Sequence, residues 1–231
     1  MAPSSIIQIA YILFCIATIT FNTIGTVEYM TWSKAFVVPL AVLLYLQHST
    51  WRITYLKASI FLCCFLGDTY RLIMPYNYET GQVICFLTAY LLLLYYLFPE
   101  FIRDNIRQKN HIFIVAATII CLTALAYFIL NLNFEKLETN YYILLFYSLI
   151  LALLICVSVV EYNRKPDAVS VNLLMLTMFF VFSDCFYIIN KFYLPFSVLN
   201  FIQITTQVFS YYFLIHLFLD QKRLEKPLDN D

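Results

Sequence analysis

Two aspartates sit where carboxylates are rare. Asp68 lies in the run FLGDTYRL and Asp184 in MFFVFSDCFYIINKF, each inside a long apolar stretch. A charged side chain costs roughly 2.5–3.5 kcal/mol at the centre of a spanning helix. Such residues face an interior cavity and mark the handling of protons, ions or substrate. The remaining acids fall in loops, at segment ends or in the C-terminal tail. Asp68 follows the start of its segment by 13 residues and Asp184 by 15. At 1.5 Å per residue both stand roughly 20–22 Å from the cytoplasmic side, in the outer third of a bilayer. Arg71 shares the Asp68 face at i+3. Lys34, Asn22, Tyr90 and Gln207 reach the same level from other segments, and such convergence is what a polar pocket in a bundle requires. A purely structural reading pairs Asp68 with Arg71 and Asp184 with Lys191, or sends both basic side chains to the lipid headgroups.

The elements that must position these groups are membrane helices. Of 231 residues, 62% are apolar and 12% charged, with a mean hydropathy of +0.79. Soluble domains carry about 25% charged residues, so an ordinary soluble enzyme and a disordered chain are both excluded. Lys plus Arg equals Asp plus Glu at 14, which leaves no electrostatic footprint for nucleic acid. Eight segments approach the length of about 20 apolar residues needed to span a bilayer. They are Ser5–Thr23, Ser33–His48, Tyr55–Met74, Gln82–Phe98, Ile112–Leu130, Tyr141–Val160, Val169–Ile189 and Phe196–Leu219. The expected fold is an all-α polytopic bundle of about eight transmembrane helices. Residues 1–221 form one transmembrane domain and 222–231 a short polar tail. The first segment lacks a basic leader region and is read as a retained helix. Pro39 lies inside the second segment and predicts a kink there.

Orientation follows from the basic residues. Ten lie on the side of the two termini and four on the other, which places both termini in the cytoplasm. The seven cysteines form no CxxC and read as small buried hydrophobes. His48, His111 and His216 have no metal-ligand spacing, so neither a metal nor a cofactor is expected. The stretch around Asp68 parallels that around Asp184 at an offset of 116 residues. Paired intramembrane aspartates and a faint repeat suit a small-molecule or proton-coupled transporter. A sensor module ranks lower, because the short tails offer no output domain.

A second class of function comes from a resemblance. Gly67-Asp68 in the third segment and Ser183-Asp184 in the seventh resemble the motifs of the YhhN-like family of membrane lysoplasmalogenases. Lys34, Pro39 and Gln207 match further positions of its pattern. Ala35 stands where the family usually has proline, and Tyr90 where it often has histidine. The resemblance implies hydrolysis of the vinyl-ether bond of a lysoplasmalogen to a fatty aldehyde and a glycerophospho-headgroup. Asp68 and Asp184 would be the acid/base pair. Lys34, Arg71, Tyr90, Gln207 and Asn22 would bind substrate, Lys34 or Arg71 by its phosphate. The partner implied is a membrane lipid or lysolipid, and the location a bacterial cytoplasmic membrane. The sequence assigns no oligomeric state.

Overall fold

In a bilayer the backbone must satisfy its own hydrogen bonds, which leaves helices or closed barrels. The computed structural model describes residues 3–74, 78–104, 123, 127, 141–192 and 195–225, and among these the regular structure is helical. The helices are α1 (Pro3–Ile24), α2 (Val27–His48), α3 (Tyr55–Ile73), α4 (Tyr78–Asp104), α5 (Tyr141–Arg164), α6 (Ala168–Phe192) and α7 (Ser197–Glu225). The segment expected at Ile112–Leu130 lies outside the described residues, apart from Thr123 and Tyr127. Among the described residues there are thus seven helices, one for each of the other seven segments read from the sequence.

Six of the seven are long and apolar enough to cross a membrane, which makes this a multi-pass membrane protein. The exception is α3. It has 19 residues, but Lys57, Asp68 and Arg71 bring its charge above that of an ordinary span. Two of those charges are buried within the bundle. Lys57 donates to the carbonyl of Phe218 at 3.3 Å and lies 5.3–6.0 Å from the rings of Phe218, Tyr96 and Tyr45. Its ammonium thus meets π-faces as well as a carbonyl oxygen.

Three boundaries differ from the sequence reading by six residues. α2 begins at Val27, six residues before Ser33, with Glu28 favourably placed in its first turn, and it stays helical through Pro39. α4 continues past Pro99 to Asp104, and α7 runs into the stretch read as tail. The α1–α2 hairpin is set by Gly25, whose φ of +83° only glycine adopts freely. The Thr26 N–H returns to the Phe21 carbonyl at 3.1 Å and closes the helix end. At the start of α6, the Asp167 carboxylate accepts the Ser170 N–H at 2.8 Å, while Ser170 Oγ accepts the Asp167 N–H. Partial burial raises the Asp167 carboxyl, but the bonds from Ser170 and Lys165 outweigh it and hold it below the usual range.

Neighbouring contacts run α2–α3, α3–α4, α4–α5, α5–α6, α6–α7 and back from α7 to α2. Six helices thus close a ring. α1 packs on its flank against α2 and α7, leaving Ile6, Ile9, Ile12, Leu13 and Ile16 exposed in a lipid-compatible stripe. The close approach of α3 to α4 depends on Gly67, where an added Cβ would lie 2.9 Å from the Phe86 ring. Gly67→Val should therefore force Phe86 aside and lower stability by about 1–3 kcal/mol, as overpacking does. An unchanged thermal midpoint in detergent would reject that role.

Candidate active site

Each helix of the ring sends a polar side chain inward: Lys34 from α2, Asp68 from α3, Tyr90 from α4, Tyr147 from α5, Asp184 from α6, and Gln207 and Tyr211 from α7. The apolar residues around them form the core, so these groups can satisfy one another only across helices. They form two neighbouring clusters.

The first is built on Asp68, whose side chain is fully buried. Its Oδ1 lies 3.0 Å from Lys34 Nζ and accepts Gln207 Nε2 at 2.8 Å. Its Oδ2 accepts the Tyr211 hydroxyl at 2.5 Å. Lys34 also donates to Gln207 Oε1 at 2.7 Å, which closes a triangle of charge and amide. Gln207 and Tyr211 are four residues apart, and so share one face of α7. The pairing of Asp68 with Arg71 is replaced by the pairing with Lys34 from the next helix.

The second cluster is built on Asp184. Its Oδ2 accepts the Tyr147 hydroxyl at 2.6 Å and the Tyr90 hydroxyl at 3.3 Å. No described residue hydrogen-bonds its Oδ1. Asp184 lines a cavity of about 70 Å³ together with Ser183, Tyr90, Tyr147, Gln207 and Glu79. Phe86, Phe180, Leu144 and Val83 give that cavity an apolar wall. Asp68 and Lys34 are absent from the lining, and Gln207 stands between them and the open space. The two carboxylates therefore differ. Asp68 is saturated with donors and closed off, whereas Asp184 keeps one oxygen for whatever enters.

The other residues read from the sequence are spread more widely. Asn22 is buried on α1 and accepts from Asn200 Nδ2 at 2.7 Å, which ties α1 to α7 away from the cavity. Arg71 is exposed near the end of α3 and does not line the cavity. Lys191 does not pair with Asp184. It bridges from α6 to Glu79 on α4 and lies 3.5 Å from the Tyr187 hydroxyl, so this ion pair sits at the cavity's Glu79 wall.

Tyr147, Tyr211 and Glu79 escape the sequence reading. The chain has 19 tyrosines, and no spacing distinguishes these two. Glu79 stands at a helix start, where an acid is ordinary. Among the described residues no three His, Cys, Asp or Glu side chains gather as a metal site would need.

Comparison with protein families matches residues 29–219 to the YhhN family. Comparisons with curated proteins and with solved structures gave no match. The matched stretch covers most of the chain and holds both polar clusters, while Asn22 precedes it. The chain belongs to the YhhN family.

Proposed function

We propose that the protein is an intramembrane hydrolase that cleaves the vinyl-ether bond of lysoplasmalogen-type lysophospholipids. The observation that carries this reading is Asp184: a carboxyl on a cavity wall, with one oxygen steadied by two tyrosines and the other uncommitted. Protonated Asp184 gives its proton to the β-carbon of the vinyl ether. The ether oxygen's lone pair moves into the adjacent bond and an oxocarbenium ion forms. The carboxylate left behind offsets that positive charge and is held by the Tyr147 and Tyr90 hydroxyls. It then accepts a proton from water as the water adds to the cationic carbon. The hemiacetal collapses when Asp184 returns that proton to the glycerol oxygen and takes up the proton of the hemiacetal hydroxyl, whose oxygen becomes the aldehyde carbonyl, so the acid is regenerated. Fatty aldehyde and glycerophospho-headgroup leave, and Asp184 is free for the next turnover. The apolar wall takes the alkenyl chain.

The test is a panel of vinyl-ether, alkyl-ether and ester lysolipids incubated with purified protein. The proposal expects aldehyde from the vinyl-ether members alone. A proton-coupled transporter using the same aspartates would release no product and would show a pH-dependent flux lost with Asp184→Asn.

The orientation belongs to the same proposal: both termini face the cytoplasm of a bacterial cytoplasmic membrane, on the ten-to-four distribution of basic residues. A cysteine placed at exposed Thr50, between α2 and α3, should react with an impermeant reagent only from the inside. Labelling from the outside would reverse the topology.

A further inference from the structure

We infer that Asp68 and Lys34 act on substrate through Gln207, locking its carboxamide so that it offers a single N–H to the glycerol hydroxyl of the bound lysolipid; the inference rests on the hydrolase reading above. An amide can present either its oxygen or its nitrogen to a ligand, and an unrestrained glutamine would switch between them. Here the choice is made by its neighbours. Lys34 has only hydrogens to give, so the oxygen must face it, at 2.7 Å. Asp68 Oδ1, which lies 3.0 Å from Lys34, takes one hydrogen of Nε2 at 2.8 Å. A flipped amide would set its NH₂ against the ammonium and its oxygen against the carboxylate, so only one orientation is favourable. The Nε2 group has a second hydrogen, and no described residue accepts it. Gln207 itself lines the cavity that Asp184 lines. The site therefore offers a fixed donor beside the reacting acid, and the ligand must supply an acceptor oxygen.

The chemistry selects which oxygen. A donor on the ether oxygen would hold back the lone pair that must move as the oxocarbenium ion forms, and so would slow the first step. The neighbouring hydroxyl on the glycerol carries no such penalty. It is also the group that an acyl chain would cap, so a fixed donor there favours lysolipids over their acylated forms. Asp68 and Lys34 are positioning residues in this arrangement, and Gln207 is the contact that reads the substrate.

The experiment compares kcat/KM for a vinyl-ether lysolipid with that for its 2-deoxy analogue. The parent protein should prefer the hydroxyl substrate by about tenfold, the worth of one hydrogen bond. Gln207→Ala should bring the ratio near one. Asp68→Leu, which leaves no acceptor for Nε2, should do the same, and combining it with Gln207→Ala should lower the ratio and kcat/KM no further, since both act through one group. Gln207→Glu covers the case in which Asp68→Leu fails to fold. Its protonated acid can bond Asp68 and accept from Lys34, yet it has no second hydrogen, so it should also lose the preference. A preference that survives Gln207→Ala or Gln207→Glu, or an Asp68→Leu effect that persists in the Gln207→Ala background, would overturn the inference. Absence of aldehyde from every vinyl-ether lysolipid would instead overturn the hydrolase reading, and the glycerol contact with it. The clamp has a readout of its own. The Gln207 side-chain amide protons in ¹⁵N-labelled protein should exchange with solvent faster in Lys34→Met than in the parent, and equal rates would mean that no clamp exists.

Discussion

Replacing Asp184 with asparagine should lower aldehyde release from a vinyl-ether lysolipid by about 10²–10⁴-fold, the usual worth of a positioned acid or base. The amide keeps the size of the carboxyl, and its oxygen can still accept from Tyr147 and Tyr90, so the variant should purify and melt like the parent. What it loses is the proton for carbon and the negative charge that faces the oxocarbenium ion. The supporting tyrosines should matter less. Tyr147→Phe removes the 2.6 Å bond and should cost roughly fivefold to tenfold; Tyr90→Phe removes the longer 3.3 Å contact and should cost less. Measured as single-turnover aldehyde release, the order should be Asp184→Asn, then Tyr147→Phe, then Tyr90→Phe. More than a tenth of parental activity in Asp184→Asn would take the carboxyl out of the mechanism.

That ordering could not have been drawn from the sequence, which treats Asp68 and Asp184 as equals. Their matched depth and paired motifs mark both as interior groups, because charge in an apolar run must be accommodated inside the bundle. Lys34 and Gln207 were legible for the same reason. The partners were not. Which helix faces which is decided by tertiary packing, and Lys34 meets Asp68 only because α2 and α3 are neighbours in the ring. Tyr147 and Tyr211 look like any other aromatic in a chain rich in them, and their roles arise only from the carboxylates they face. Asn22 shows the opposite failure. It is polar and buried, but α1 stands on the flank of the ring and its side chain serves Asn200. Helix existence was easier to read than helix ends. The apolar runs are long, whereas Val27–Trp32 and the stretch beyond Phe98 are mixed in polarity and gave no clear boundary.

The Lys34–Asp68 pair should dominate stability as Asp184 dominates turnover. Removing one member of a buried ion pair costs about 3–5 kcal/mol, because the survivor is left charged without its counter-ion. The two single variants should not be equal. In Asp68→Leu the Lys34 ammonium keeps, among the described residues, only the neutral oxygen of Gln207 as a hydrogen-bond acceptor. In Lys34→Met the Asp68 carboxyl keeps Tyr211 and Gln207 as donors and can also take up a proton. Asp68→Leu should therefore be the more destabilised, read as the midpoint of unfolding in mixed detergent micelles. The double variant Lys34→Met with Asp68→Leu buries no charge at that point and should recover most of the loss, so the two effects will fall well short of additive. Full additivity would show that the pair is not coupled across α2 and α3. The same double variant separates stability from function. Methionine and leucine can fill the space, but neither can hold the Gln207 amide in one orientation, so the restored fold should still fail to distinguish the glycerol hydroxyl from its 2-deoxy analogue.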